Sequence, residues 1–415
     1  MNIWCISKYT SPPKYSKMPT RLFNYCKEWV KMGHHVTYIT SDANHLANYP
    51  ATDKVYNKEM IEDIEVYWLK TKKYTKTASA ERILSWLDFE RRLFGLNTKD
   101  MKKPDIVIVS SLSILSIGYG YYLKKKYGAF LVFEIRDIWP LMMVEEANFN
   151  KHHPLVLFIG AVEKFGYQFS DLIVGTMPRL DLHIEEILGH RKFSFYCAPF
   201  GVMELSDADE KLNLNEELFE HVFPKDKIII GYAGSMGISN ALEPFINTIQ
   251  QVEKTIPNLY FVLIGSGDLR DSFQEQLKSS ENVKFLPRIS QNQVQNFLSN
   301  CDAVFLSTTN SKIWNYGQSL NKVIEYMTAG KPILALYYGY QSMINEAQCG
   351  FFITPEPNQS AETAIEATLV EISNMTKNEL REIGQRGKMW ITKNRRYSSL
   401  AKQYLTKIQN LMPEK

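Results

Sequence analysis

The sequence predicts an α/β protein made of two doubly wound, Rossmann-like domains facing a cleft. Three observations carry that prediction. Short apolar runs alternate with helical stretches, as they do where parallel sheets are covered on both faces. The alternation restarts in mid-chain at Ile228-Ile229-Ile230-Gly231-Tyr232-Ala233-Gly234. The 415 residues also exceed what one core organises, so two domains are the default.

In the first half the strands are Asn2–Ile6, His35–Thr40, Ile106–Val109, Phe130–Glu134 and Leu172–Gly175. Helices such as Thr20–Met32 and Ser116–Lys126 separate them. The second half continues from Ile228 through Tyr260–Ile264, Val283–Phe285, Ala303–Leu306 and Ile333–Leu336. Ser290-Gln291-Asn292-Gln293 has the form of a capping box, which satisfies two orphan amides at a helix start. The domains then span 1–198 and 199–395, and the polar stretch Asp207–Asp226 reads as a linker.

Composition narrows the function. The 45% hydrophobic and 22% charged fractions are those of an ordinary soluble globular protein. Five cysteines, odd in number and without a C-x-x-C pair, argue against a disulfide framework or zinc site and for a reducing cytoplasm. His34-His35 and His152-His153 lack ligand spacing, so neither a metal nor a cofactor is expected. The start Met1–Tyr9 is too short and polar for a signal peptide and reads as a first strand. Ile106–Leu123 carries no charge across eighteen positions, the length of a membrane span. Its serines and glycines instead divide it into strand, turn and helix.

The most informative stretch runs from Ser319 to Pro332. A loop delivers a helix with Lys322 in its first turn and Glu325 in the next; it stops at Gly330 and leads into Ile333–Leu336. Unpaired amides and the positive dipole end of such a helix suit a phosphate. Glu325 lies on the same face and could accept two hydroxyl protons from a ribose. The plainer reading is a helix–turn–strand unit with a solvated Lys and Glu. Two glycine-bearing loops strengthen the nucleotide reading, because ligands of open parallel sheets bind beyond the strands' carboxyl ends. They are Ala233-Gly234-Ser235-Met236-Gly237 and Gly265-Ser266-Gly267-Asp268. Neither is a G-x-G-x-x-G or Walker sequence, which counts against NAD binding and ATP hydrolysis.

Taken together, these segments resemble the family-four (group 1) glycosyltransferases of the GT-B fold, particularly bacterial O-antigen and capsule enzymes. The resemblance rests on Lys31-Met32-Gly33-His34-His35-Val36-Thr37, Glu134-Ile135-Arg136-Asp137-Ile138-Trp139-Pro140 and Pro199-Phe200-Gly201-Val202. It continues through Tyr232-Ala233-Gly234, Ile264-Gly265-Ser266-Gly267 and Asn321–Pro332.

The resemblance implies an acceptor-binding domain at 1–198, a nucleotide-sugar-binding domain at 199–395, and a last helix in 396–415 returning to the first domain. Glu325 takes the place of the glutamate that contacts donor ribose, and the amides of Ser319, Leu320 and Asn321 that of the pyrophosphate contacts. Gly234, Ser235, Gly265 and Ser266 would border the donor, with the base near Leu286-Pro287-Arg288. Two departures stand out. Gly317 replaces the family's first motif glutamate, and Ser235 and Asn240 stand where a cationic pair is usual. A departing pyrophosphate needs a positive counterpart, for which Lys322 is the best candidate. Asp137 could orient an acceptor hydroxyl and Arg136 could face donor phosphate or acceptor; a purely structural Arg–Asp pair is the alternative. Glu145 and Glu146 are further candidates for acceptor contact, and His45 could hang over the same cleft as the N-terminal loop. Lys14 and Lys17, in a proline-stiffened loop, would suit an anion.

Charge is unevenly shared, +6 over residues 1–198 and −3 over the rest. Trp86, Phe89, Arg91, Arg92, Leu93 and Phe94 mix aromatic and basic character, as at an anionic membrane surface or on a core-facing helix with a solvated outer face. No nucleic-acid recognition motif accompanies the positive charge. The expectation is a cytoplasmic, metal-independent, retaining glycosyltransferase, peripheral on the inner membrane face. It would move a hexosyl or N-acetylhexosaminyl group from a UDP-sugar or similar donor to a lipid-linked oligosaccharide in surface polysaccharide synthesis. A non-transferring epimerase of the same fold and a non-catalytic nucleotide-sugar-binding subunit are the alternatives.

Overall fold

The computed structural model describes residues 1–16, 20–75, 80–203, 219 and 221–413. Lys17 and most of the expected linker Asp207–Asp226 lie outside the described residues. The chain divides into two compact units, Met1–Pro199 with Tyr397–Lys415, and Phe200–Arg396.

The first unit holds an eight-stranded sheet in the order β3-β4-β2-β1-β5-β6-β7-β8. Its strands are β1 (Asn2–Ile6), β2 (His35–Ser41), β3 (Tyr56–Ile61), β4 (Ile64–Leu69), β5 (Ile106–Ser110), β6 (Phe130–Ile135), β7 (Leu172–Gly175) and β8 (Phe195–Cys197). All neighbours pair parallel except β3 with β4. That hairpin is absent from the sequence expectation. Its turn places Glu62 and Asp63 at φ 52° and 59°, the left-handed geometry of a tight hairpin turn, without the Asn-Gly pair that usually marks it.

The uncharged stretch Ile106–Leu123 resolves into β5, a 3₁₀ segment Ser111–Ser116 and the start of helix Ile117–Tyr127. Among the described residues no helix is long and apolar enough to cross a membrane.

Helix Arg21–Lys31 packs one face of this sheet, and helix Tyr397–Gln409 packs against it. Trp29 Nε1 donates to the Ala401 carbonyl at 3.0 Å, and the Trp29 and Tyr404 rings meet edge-on at 5.4 Å. Beneath lies a fully buried ion pair, Arg21 to Glu134 at 2.8 Å. The same guanidinium donates to the Ala198 carbonyl, and Tyr25 donates to that of Pro199, so the chain is gripped where the first unit ends.

The second unit is a six-stranded, all-parallel sheet in the order β11-β10-β9-β12-β13-β14. Its strands are β9 (Ile228–Ala233), β10 (Leu259–Ile264), β11 (Val283–Leu286), β12 (Ala303–Ser307), β13 (Ile333–Leu336) and β14 (Gly350–Ile353). Apolar side chains fill both faces, as the near-continuous hydrophobic runs of these strands require. Strand order reverses between β9 and β12, and in such sheets the binding crevice opens beyond the carboxyl ends at that point. In the first unit the reversal falls between β1 and β5.

Candidate functional site

In the second unit the loops that leave β9, β10 and β12 converge with helix Asn321–Thr328 at the sheet's carboxyl edge. The β9 and β10 loops run side by side. Gly234 N donates to the Ile264 carbonyl at 3.0 Å, and Met236 N to that of Ser266 at 2.9 Å. The glycines permit this contact: a Cβ on Gly265 would lie 1.8 Å from the Gly234 oxygen. Gly265 is buried, whereas Ser235 and Ser266 are exposed beyond the strand ends. Arg288 is exposed past the end of β11.

Lys322 is not the solvated lysine of the plainer reading. Its ammonium donates to Tyr232 Oη at 2.8 Å and to Asn240 Oδ1, and sits 4.8 Å from the Tyr232 ring centroid. The cation from the helix thus reaches the Asn240 position, where the resemblance places a lysine. Gly234 makes room, since a Cβ there would meet Lys322 Cε at 2.4 Å. Burial lowers the Lys322 pKa to about 8, with the Glu325 charge pulling the other way. Glu325 receives a 2.5 Å hydrogen bond from Gln291 Nε2, and burial raises its pKa against that bond and against Lys322. Gln291 opens helix Gln291–Ser299, whose capping box at Ser290 and Gln293 is formed.

Leu320 occupies the cap position of helix Asn321–Thr328 and Asn321 is exposed at its first turn, so the Ser319–Asn321 segment leads directly into the helix N-terminus. Gly317, which stands where a glutamate is usual, has φ 95°, a conformation suited to glycine.

In the first unit Arg136 and Asp137 follow β6. Ser111 Oγ, just past β5, accepts from Arg136 N at 2.9 Å, which fixes this loop to the neighbouring strand end. Burial raises the Asp137 pKa, opposed by the charges of Arg136 and Arg82. Burial likewise lowers the Arg136 pKa, with Arg21 adding to the effect.

Sequence reasoning singled out His45 and Trp86 separately but missed the group that they form with Tyr9 and Arg82 beside this loop. Tyr9 Oη accepts from Trp86 Nε1 at 2.7 Å and from Arg82 Nε at 3.2 Å, and Trp86 meets Trp139 edge-on at 6.0 Å. His45 packs against Tyr9 at 4.8 Å and hydrogen-bonds Tyr74 at 2.9 Å. Below them Lys8 is fully buried and donates to Ser85 Oγ at 2.9 Å, while Glu90 accepts from Ser113 and Ser116. Burial brings Lys8 down and Glu90 up to about 7 each. Residues scattered between 8 and 139 gather here because β1, β2, β5 and β6 are adjacent, which only the strand order reveals. Glu146 lies near enough to Asp137 for their charges to interact. Lys14 does not offer a free charge: its ammonium is paired with Glu59 at 2.7 Å.

Helix Ala80–Phe94 turns Ser85, Phe89 and Leu93 inward. Its outer side exposes Ile83, Leu84, Leu87 and Phe94, each by 45–56%. Arg91 and Arg92 flank this stripe and pair with Asp88. Among the described residues no group of three or more His, Cys, Asp or Glu side chains is placed to hold a metal ion.

Residues 214–388 match the family model described as Glycosyl transferases group 1. No curated protein matches the sequence. Among solved structures, the chain is similar to the catalytic domain of starch synthase IV from Arabidopsis thaliana bound to ADP and acarbose, with TM-score 0.69, 13% identity and 99% of each chain covered. It is similar to Anabaena HepE in complex with UDP and glucose, with TM-score 0.61, 14% identity, 99% of this chain and 100% of that one covered. It is also similar to WaaG, a glycosyltransferase of lipopolysaccharide biosynthesis, with TM-score 0.64, 14% identity, 98% of this chain and 99% of that one covered. These likenesses establish the fold as GT-B.

Proposed function

We propose that this chain is a retaining glycosyltransferase of the group 1 family, moving a hexosyl or N-acetylhexosaminyl unit from a nucleoside-diphosphate sugar, UDP-linked by preference, to a saccharide acceptor. The observation that carries the reading is the Lys322 ammonium, held by Tyr232 and Asn240 at the switch point of the second sheet and one turn from Glu325. The matched family model spans this helix, and the fold is one in which ADP and UDP complexes are known.

In this mechanism the amides of Ser319–Asn321 and the Lys322 ammonium stabilise charge on the departing diphosphate, and Glu325 receives the ribose hydroxyls. The bond from the anomeric carbon to the phosphate oxygen breaks. The acceptor oxygen forms its new bond on the same face, and its proton passes to the leaving phosphate oxygen. Positive charge at the diphosphate comes from the protein, so no metal is required. Asp137 and Arg136 orient the acceptor, with Trp86 and Trp139 beside them offering aromatic surface for a pyranose ring.

The acceptor is lipid-linked in this reading, and the reaction belongs to surface-polysaccharide synthesis at the cytoplasmic membrane face. Support comes from the apolar stripe Ile83, Leu84, Leu87 and Phe94 on the helix that carries Trp86, and from its flanking arginines. The experiment is release of nucleoside diphosphate from a panel of nucleotide sugars, with EDTA present, for wild type and Lys322→Ala. Turnover by wild type and its loss by at least tenfold in the variant support the reading. Tight binding without turnover of any donor would favour a non-catalytic binding subunit.

A further inference from the structure

The stretch from Ser319 to Pro332 ends on a cation that the donor reading leaves unused. Lys331 follows the turn Ala329-Gly330 and comes just before β13, at the amino-terminal edge of the second sheet. That edge is opposite the one that gathers Lys322 and Glu325. Asp302 immediately precedes β12 at the same edge, and helix Lys377–Asn394 packs beside it. Between them is an open cavity of about 160 Å³, lined by Asp302, Lys331, Lys377, Arg381 and Gln385 together with the end of helix Gln291–Ser299. It has roughly ten times the room that one water needs.

The lining is charged and one-sided: three cations face one carboxylate, a net of two positive charges. Asp302 is already occupied, since its carboxylate accepts from Ile229 N at 2.8 Å and pairs with Lys377 at 3.1 Å. Lys331 Nζ donates to the Ser299 carbonyl at 2.8 Å and the Cys301 carbonyl at 2.6 Å, which leaves its third N–H to spare. Arg381, with five N–H donors, has no hydrogen bond or ion pair among the described residues. Burial lowers the Lys331 pKa and the Arg381 charge adds to the effect, against the pull of Cys301 and Asp302. An anion held between the two cations would relieve that repulsion.

The walls are fixed. The helix meets the turn so closely that a Cβ on Gly384 would collide with the Gly330 carbonyl oxygen, and one on Gly330 would meet Gln385 Nε2 at 2.7 Å. Arg386 Nε donates to the Gln348 carbonyl at 2.8 Å and ties the helix to the segment before β14. A site already in place saves a ligand part of the cost of ordering it. Two positive charges match a dianion, whereas a single carboxylate would leave one charge unbalanced. The several oxygens of a phosphate can accept from Lys331, Lys377, Arg381 and the Gln385 carboxamide together.

From this convergence we infer that the cavity is a second anion site, which binds a phosphate group, either free or carried by a small phosphorylated metabolite. The inference is independent of the donor reading and is tested without any nucleotide.

The test is calorimetry at low ionic strength with inorganic phosphate, sulfate, glycerol 3-phosphate and formate, on wild type, Arg381→Gln, Lys377→Gln and Lys322→Ala. Wild type is expected to bind phosphate and sulfate at least about fivefold more tightly than formate. Arg381→Gln should weaken phosphate by about fivefold or more, while Lys322→Ala holds it within about twofold. Lys377→Gln should repeat the loss, and serves as the readout if the Arg381 variant fails to fold. Glycerol 3-phosphate bound as tightly as phosphate assigns the site to a phosphorylated metabolite, and inorganic phosphate bound alone assigns it to the free ion; both outcomes sustain it.

Unchanged phosphate affinity in both Arg381→Gln and Lys377→Gln would overturn the inference, as would no binding of phosphate by wild type. Loss in Lys322→Ala alone would overturn it too, because the anion would then sit at the helix that carries Lys322. Formate bound as tightly as phosphate would refute the preference for a dianion and the inference with it.

Discussion

Lys322 is buried deeply enough that its charge is conditional near neutrality. With its pKa lowered to about 8, it is largely protonated at pH 7 and loses its proton as pH rises through 8 and beyond. Diphosphate affinity should therefore fall between pH 7 and 9.5, and Lys322→Met should bind more weakly but with a flatter profile, both read by calorimetry. Glu90 gives a second pH test, in stability. Its folded-state pKa is raised from 4.5 to about 7, so between those values the folded chain binds more protons than the unfolded one. Stability should fall as pH rises through that window, and Glu90→Gln should remove a slope worth a few kcal/mol, measured by denaturant titration. Ser113, Ser116 and Lys8 surround that carboxyl, with Asp42 and Asp88 acting on Lys8. Lys322 and Glu325 were legible in the sequence because helical spacing places them one turn apart. Gln291, thirty-four residues from Glu325, was not, since its reach depends on where two helices lie over one sheet.

At the scale of elements, helix Ala80–Phe94 faces two ways, with Trp86 and Ser85 turned to the first unit's polar cluster and Ile83, Leu84 and Leu87 turned out. Replacing those three by serine should leave thermal stability within a few degrees, because they are half exposed, while reducing co-sedimentation with phosphatidylglycerol vesicles at least fivefold. Retained vesicle binding would remove this helix as the contact. The mixed aromatic and basic composition of the helix was visible beforehand; which side each residue faces needed the sheet beneath it. Central strands such as Ile106–Ser110 and Ile228–Ala233 were legible as apolar runs of strand length. The β3–β4 hairpin was not, because its outer strand alternates weakly and its Glu62-Asp63 turn lacks the usual composition.

Over the whole molecule, both sheets are wound outward from a central reversal, the first departing from chain order only at its edge hairpin β3–β4, and each unit has its own core. The first unit is completed by the last helix of the chain and pinned by Arg21 and Glu134. Arg21→Met should destabilise that unit by roughly 3–5 kcal/mol in denaturant unfolding, because it strands a buried carboxylate and the Ala198 carbonyl. Fold class followed from the sequence because alternation and length survive ignorance of long-range contacts; the buried pair did not, because nothing local distinguishes Arg21 from a surface arginine. The central claim is that helix Asn321–Thr328 holds a nucleoside diphosphate, and the most direct measurement is calorimetry of UDP, GDP, dTDP and ADP, with EDTA present, on wild type and Glu325→Ala. The account predicts that at least one diphosphate binds and that the variant loses about 1.5–3 kcal/mol of that affinity. Binding of none, or equal binding by wild type and variant, would contradict it.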